Sequence, residues 1–318
     1  MSNVELCFCI PTFNREKSVF RLVKDILSCN DLDINVVILD NGSTDNTLSV
    51  LKEIKDSRLF VYSNGENKGA LYNMVNVLNK GIGNFLVYST DQDYVNINEI
   101  KNFKKFLSEN NEISCGYCKL NSKSDIDYEI FQIGYESIKN IAYKGFHPTG
   151  HFFKNSLLKT VNITERFSDY NFVDLFPLEF VFAELCTLGG GAIYHRKIFT
   201  PETGKNVVNH KSSTTNGKSK NAFFSPDARL KLAVNFTKHI ESLPIKRNEK
   251  KLLINDIFID NLFSATKGYR SILKNEKLCI HYCMETRDVK FKEIINIAIN
   301  RSEERRVGKE CSCRWSPY

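Results

Sequence analysis

The chain has 318 residues, 42% of them hydrophobic, which suits one enlarged domain or two small ones with a packed core. Its formal charge of +7 is a mild excess without a dense basic stripe or a stacking motif, which argues against nucleic-acid binding. No apolar run is long enough to span a bilayer, and Met1-Ser2-Asn3-Val4 leads straight into a strand pattern, so a cytoplasmic or peripheral protein without a signal peptide is expected.

The first apolar run, Val4 to Ile10, reads as a strand that stops at Pro11, and Pro11-Thr12-Phe13-Asn14-Arg15 reads as a polar turn. Val19, Leu22, Val23, Ile26 and Leu27 then recur at helical spacing. A second strand, Ile34 to Leu39, ends at Asp40, and Asn41-Gly42-Ser43-Thr44-Asp45 signals a turn and the start of a helix whose apolar face is Leu48, Leu51 and Ile54. Leu59 to Tyr62 is a third strand, Asn64 to Gly69 a loop, and Ala70 to Leu78 a helix. Gly81-Ile82-Gly83 breaks that helix before a fourth strand, Phe85 to Tyr88. Strands alternating with helices predict an α/β fold with a mainly parallel sheet flanked by helices.

The fourth strand runs into Asp91-Gln92-Asp93. In open α/β sheets, ligands bind at the C-terminal edge, where these acids would lie. Two carboxylates one residue apart repel each other unless a cation lies between them. A hard divalent ion takes oxygen ligands and completes its shell with water and phosphate oxygens. The triplet therefore suggests a metal-bridged diphosphate. Thr12, Asn14 and Asp40 end earlier strands and would reach the same edge. Each alone is also what a turn requires; their occurrence together, in this order, points to a ligand.

Four segments carry a resemblance to a known family: Ile10-Pro11-Thr12-Phe13-Asn14-Arg15, Val37 to Asp45, Asn67-Lys68-Gly69 with Asn73, and Asp91-Gln92-Asp93. Over about residues 4–95 the chain resembles the family 2 glycosyltransferases, inverting enzymes of the GT-A fold. It departs from the usual pattern at Phe13 (commonly Tyr), Asn41 (often Asp) and Gln92 (commonly Asp). The resemblance implies a nucleotide-diphosphate sugar donor, with Pro11, Thr12, Asn14 and Arg15 around the nucleoside and its phosphates. Asp40 would accept from the ring N–H of uracil or thymine, and Lys68 and Asn73 would line the base or ribose pocket. Asp91 would face the ribose or metal-bound water, and Asp93, with Asp91 beside it, would hold Mn2+ or Mg2+. The implied reaction moves a sugar from a UDP- or dTDP-sugar to a hydroxyl of a glycan or lipid-linked acceptor in bacterial surface polysaccharide synthesis, at the inner face of the membrane.

Inversion also needs a general base for the acceptor hydroxyl. The segment 167–179 holds the candidates: Asp174 first, then Asp169 and Glu179. Asp174 reads equally well as the cap of a helix starting at Pro177. His147 to Lys154 looks like the acceptor-side strand of the family, with Gly150 admitting substrate to the backbone and His147 and His151 read as structural. His195 and His210 are candidates for a third metal ligand, and residues 200–220 read as a lid or as unstructured chain. The domain layout expected is 1–222 for the transferase domain (donor half about 1–95, acceptor half about 96–222), 223–300 for a C-terminal helical region, and 301–318 for a non-native tail resembling translated vector sequence.

In the helical region, Ser225-Pro226-Asp227 starts one helix, Lys250 to Leu273 a second and Val289 to Asn300 a third. Their basic surplus offers peripheral contact with an anionic membrane, or merely solvated faces. Of ten cysteines, Cys115 and Cys118 with Cys279 and Cys283, which flank His281, allow a zinc site, but free thiols in a reducing compartment are expected. A dehydrogenase would need Gly-x-Gly-x-x-Gly after the first strand, and a nucleotidyltransferase a Gly-rich loop with Arg; Pro11-Thr12-Phe13-Asn14 is neither. The alternative reading is a degenerate module that binds a nucleotide sugar without catalysis, which Asn41 and Gln92 keep open.

Overall fold

The structure is a computed structural model that describes residues 5–121, 124–145, 147–165, 176–202 and 226–281. The chain opens with strand–helix alternation: β1 (Leu6–Thr12), α1 (Glu16–Leu27), β2 (Ile34–Asp40), α2 (Thr47–Glu53), β3 (Leu59–Ser63), α3 (Ala70–Asn79) and β4 (Phe85–Tyr88). The pairs β3–β2, β2–β1 and β1–β4 are all parallel, as the crossover helices require. The register puts Thr12 opposite Asp40 and Asp40 opposite Ser63, so three strand ends share one edge. β1 and β2 are buried along nearly their whole length, which is why they read as continuous apolar runs. Val19, Leu22, Val23, Ile26 and Leu27 are the buried stripe of α1, at the expected spacing.

β1 runs through Pro11 to Thr12, two residues past the expected last strand residue, Ile10. Even-numbered residues bond toward β2, as Asn41 N–H to Thr12 O shows (2.9 Å), and odd ones toward β4, as Ser89 N–H to Cys9 O shows (3.1 Å). The ladder with β4 ends at Cys9, so Pro11 needs no donor there and the strand continues.

The chain continues through β5 (Tyr94–Val95), α4 (Ile97–Glu109), β6 (Ile113–Cys118), β7 (Tyr128–Phe131), α5 (Tyr135–Ile141), β8 (His151–Lys154), α6 (Asn155–Val161), α7 (Pro177–Leu185), β9 (Gly190–Tyr194) and β10 (Phe199–Thr200). The full sheet order is β3-β2-β1-β4-β8-β6-β9-β7. Its second half is mixed: β8 is antiparallel to β4 and β6, β9 parallel to β6, and β7 an antiparallel edge. The α/β sheet flanked by helices is thus the one expected, with its parallel pairing concentrated in the donor half. Phe103 packs edge-on against Phe152 and Tyr194, with ring centroids 5.3 and 5.0 Å apart, and these belong to the same core as β1, β2 and α1.

The described residues fall into two compact units: the sheet with its helices plus Ser242–Glu249, and the rest of the C-terminal helices. The latter are α8 (Pro226–Ser242), α9 (Arg247–Leu273) and α10 (Glu276–His281), close to the first two helices expected. There Leu273 and Cys279 are buried against Tyr269. No described helix is long and apolar enough to cross a membrane. The expected boundary at 222–223, the helix at 289–300 and the tail 301–318 lie outside the described residues.

Candidate active site

The site is built where β1, β2 and β4 end. Asp91 is buried, and the Thr12 hydroxyl donates to its Oδ2 (2.7 Å). Burial pushes the Asp91 carboxyl up to about 6, with the Thr12 bond and the Arg15 charge opposing it. Asp93 is buried more deeply still. Thr90 Oγ1 (2.7 Å) and Thr149 Oγ1 donate to its Oδ2, and the Glu202 N–H donates to its Oδ1 (3.0 Å). A carboxylate offers about four lone-pair sites, so these three donors leave Asp93 room for a cation.

Gln92 stands between the two acids. With its amide oxygen toward Arg15, it accepts from Arg15 Nε and Nη2 (3.0 Å each) while its nitrogen donates to Glu202 Oε2 (3.2 Å). A carboxylate at position 92 could not donate to Glu202, which accounts for the amide. Arg21 on α1 supports the loop from behind. Its Nη2 donates to Gln92 O (2.5 Å) and Asp93 O (3.0 Å), and its guanidinium stacks 3.6 Å over the Tyr94 ring. The β5–β10 ribbon, antiparallel at Val95↔Phe199, carries Glu202 to Asp93.

Asp40 is fully buried. Its oxygens accept from the N–H of Gly42 (3.1 Å), the N–H of Ser43, the Ser43 hydroxyl and the Ser63 hydroxyl (3.1 Å). Asn14 has a left-handed backbone (φ 53°), which Asn tolerates. Its N–H donates to Ser43 Oγ (2.8 Å) and its Oδ1 accepts from Thr44 N–H (2.8 Å), joining the first two loops. Arg15 N–H donates to Thr47 Oγ1 (2.9 Å). Asn41 donates to Asn67 Oδ1 (2.9 Å) and accepts from Asn64 Nδ2 (2.9 Å) and Lys68 N–H (3.1 Å); an Asp could not do both. Asn73, also buried, donates to Leu39 O (3.0 Å) and accepts from Asn64 Nδ2 (3.1 Å). Lys68 is exposed, its ammonium 5.3 Å from the centre of the Tyr72 ring. Pro11 is only partly buried at the end of β1. So Asp40, Asn14, Asn41 and Asn73 fix the shape of the loops, while Arg15, Lys68 and the acids carry the charge.

On the acceptor side, Asp169, Asp174 and His210 lie outside the described residues. Glu179 is buried, with its carboxylate accepting from the N–H of Lys144 (3.0 Å) and Gly145 (2.8 Å). His195 directs Nε2 to Glu129 Oε1 (2.5 Å) on β7, and β8 and β6 intervene between its strand and β4. The histidine beside the acids is His147: its Nδ1 is 3.8 Å from Asp93 Oδ2. Gly150 is crowded by protein and not left open for substrate, since a Cβ there would meet Cys118 Cβ at 3.0 Å and Phe199 Cδ2 at 3.2 Å. The described cysteines are buried free thiols, and among the described residues no three His, Cys, Asp or Glu side chains converge on one point.

The family model of glycosyl transferase family 2 matches residues 7–164, a span that contains every strand end of this edge. These residues belong to that family. Among curated relatives, a GalNAc(5)-diNAcBac-PP-undecaprenol beta-1,3-glucosyltransferase of Campylobacter jejuni is 26% identical over 172 residues, 51% of this chain and 56% of the relative. A UDP-Glc:alpha-D-GlcNAc-diphosphoundecaprenol beta-1,3-glucosyltransferase of Escherichia coli is 29% identical over 98 residues, 31% of this chain and 39% of the relative. The chain thus spans about half or less of the length of these relatives. Two solved structures share the fold. S. aureus TarS 1–349 with UDP-GlcNAc has a TM-score of 0.59 at 16% identity, over 96% of this chain and 92% of TarS 1–349. The mannosyltransferase PcManGT of Pyrobaculum calidifontis, with GDP-Man and Mn2+, has a TM-score of 0.55 at 12% identity, over 95% and 88%. The family 2 assignment and the GT-A architecture expected from the strand ends therefore hold.

Proposed function

We propose that this family 2 chain is an inverting, metal-dependent glycosyltransferase that moves a sugar from a UDP- or dTDP-sugar to a hydroxyl of a glycan or lipid-linked acceptor in bacterial surface polysaccharide synthesis. The observation that carries the reading is the pair Asp91 and Asp93, buried at the strand edge beside Arg15. Relatives named for glucosyl transfer to undecaprenol-linked glycans support the acceptor class, and TarS with UDP-GlcNAc supports the donor class.

Asp93 and Asp91 offer only oxygen atoms, and Asp93 keeps an unfilled lone-pair site, a donor set that fits Mn2+ or Mg2+ with diphosphate and water oxygens completing the shell. When bound, the ion would supply charge to stabilise the departing nucleoside diphosphate. Arg15, tied to Gln92, adds fixed positive charge on the same side. Asp40, Asn41 and Asn73 hold the loops that form the nucleoside pocket, with Lys68 at its rim. Asp174, with Asp169 as the alternative, is assigned the general base that takes the proton of the acceptor hydroxyl. Glu179 has its carboxylate engaged by two backbone donors and is assigned to hold the 144–145 turn. The enzyme would work at the inner face of the membrane, where lipid-linked acceptors lie, with the basic C-terminal helices as its contact.

The test is nucleotide release from a panel of UDP-, dTDP- and GDP-sugars, with Mn2+ and with chelator, in wild type and Asp93→Ala. Metal-dependent release from one donor, lost in Asp93→Ala, is the expected result. Nucleotide binding without release from any donor would favour the non-catalytic module. Neither binding nor release would overturn the reading.

A further inference from the structure

We infer that Gln92 is a positioning residue for the donor's diphosphate: it holds the Arg15 guanidinium with a neutral acceptor, so that Arg15 meets the phosphates with its charge intact. This rests on the nucleotide-sugar donor proposed above and adds a residue to its site.

The Gln92 amide is clamped at both ends. Its oxygen accepts from Arg15 Nε and Nη2 (3.0 Å each), and its nitrogen donates to Glu202 Oε2 (3.2 Å). Its backbone is held as well, since Arg21 Nη2 donates to Gln92 O (2.5 Å). Glu202 is fixed in turn by the bond from its N–H to Asp93 Oδ1 (3.0 Å). A side chain set between anchored groups keeps one direction, and the guanidinium bonded to it is fixed beside the loop of the two acids.

A guanidinium has five N–H donors in a planar fork. Arg15 spends two of them on the Gln92 oxygen, and the other three have no acceptor among the described residues. Arg15 is half-buried, and such a fork suits phosphate oxygens.

A glutamate in the place of Gln92 would offer the same fork a carboxylate. The resulting bidentate ion pair would cancel most of the Arg15 charge, and a second carboxylate would stand against Glu202. The amide supplies the acceptor without the charge, and its other end satisfies Glu202. What Arg15 keeps is the positive charge that draws a diphosphate and is indifferent to a bare nucleoside.

The test is ligand-observed NMR titration of the full chain with UDP and with uridine, in chelator so that only protein charges act. Wild type should bind UDP more tightly than uridine. Gln92→Glu should lower UDP affinity about tenfold and leave uridine affinity unchanged, and Arg15→Gln should do the same. Adding Glu202→Gln to Gln92→Glu restores an amide–carboxylate bridge with donor and acceptor exchanged. It keeps the total charge of the wild type but sets the negative charge on Arg15, so UDP affinity should stay low. Recovery of UDP binding in that double variant would mean that Gln92 serves only to bridge the loop to Glu202, and would overturn the inference. So would equal losses of UDP and uridine binding in Gln92→Glu, unchanged UDP affinity in it, or a wild type that binds the two ligands alike; all of these spare the donor reading. A wild type that binds neither ligand would sink both.

Discussion

Thr12 Oγ1 and Asp91 Oδ2 are 2.7 Å apart across 79 residues of chain, a bond that ties the end of β1 to the loop after β4. It is formed inside the protein, so the hydroxyl offsets part of the burial that raises the Asp91 carboxyl to about 6. The folded protein therefore holds a proton on Asp91 that the unfolded chain releases near 3.8. Stability from this group is fully present below about pH 4 and declines as pH rises through about 6. Thr12→Val keeps the shape and deletes the donor. In metal-free protein it should cost about 1–3 kcal/mol at pH 8, where the carboxylate is charged, and clearly less at pH 5. Urea denaturation at the two pH values reads this directly. An equal loss at both would mean that the hydroxyl does not serve the charged form.

Arg21 grips the carbonyls of Gln92 and Asp93 from α1 and stacks on Tyr94. Replacing it frees the backbone that aims both acids. Arg21→Leu should weaken Mn2+–UDP binding by about tenfold or more, because small misplacement of a binding group is costly. Arg21→Lys should recover little, since an ammonium lacks the planar fork. Calorimetry with UDP and Mn2+ measures both, and affinities within twofold of wild type would show that the loop holds its shape unaided.

Much of this edge was legible in the sequence because its parts are strand ends. β4 was expected at 85–88 and found there, and β2 gained only Asp40. Asp40, Asp91 and Asp93 came to one edge because a parallel sheet leaves them no other arrangement. What was not legible came from packing between distant segments. Arg21 lies on the polar side of an amphipathic pattern, a side that ordinarily faces solvent; here it faces the loop after β4. Glu202 arrives through a ribbon of two residues a side, too short for any period to show. His147 was read as structural because nothing in local sequence distinguishes a histidine beside a turn from one beside a carboxylate three strands earlier in the chain. Asp40, Asn14 and Asn73, read as facing a ligand, also make hydrogen bonds that tie the loops of this edge together.

Gly42 follows Asp40 and Asn41 at φ +75°, and a Cβ there would lie 2.5 Å from Glu66 C and 2.6 Å from Glu66 Cα. Both are backbone atoms and cannot rotate away. Gly65 has nearly the same φ, +76°, but open space around its missing Cβ. The pair separates conformational strain from collision. Gly65→Ala should cost about 1–2 kcal/mol, the left-handed penalty alone. Gly42→Ala should cost about 2–4 kcal/mol, adding overpacking, and should displace the 64–69 loop that Asn41 holds. Thermal unfolding gives the stabilities, and UDP titration should show weakened binding for Gly42→Ala only. Equal costs would mean that the 64–69 loop yields freely.

His151 on β8 is buried against Phe182, ring centroids 4.7 Å apart, and neither ring nitrogen is hydrogen-bonded among the described residues. Burial, with His147 nearby, depresses its pKa from 6.5 to about 3. The unfolded chain takes up a proton near pH 6.5 that the folded protein refuses, so stability from this group is present above 6.5 and lost as pH falls toward 3. Between pH 7 and pH 5 the loss should approach about 2 kcal/mol, at 1.36 kcal/mol per unit. His151→Leu removes both the titration and two unpaired polar atoms. It should raise stability at pH 7 by about 1 kcal/mol and flatten the acid limb between pH 7 and 5. Denaturation curves across that range check both effects. A variant that keeps the wild-type slope would place the acid sensitivity on other groups, and one that is destabilised at pH 7 would mean that the ring nitrogens have a bonded partner after all, most simply a buried water.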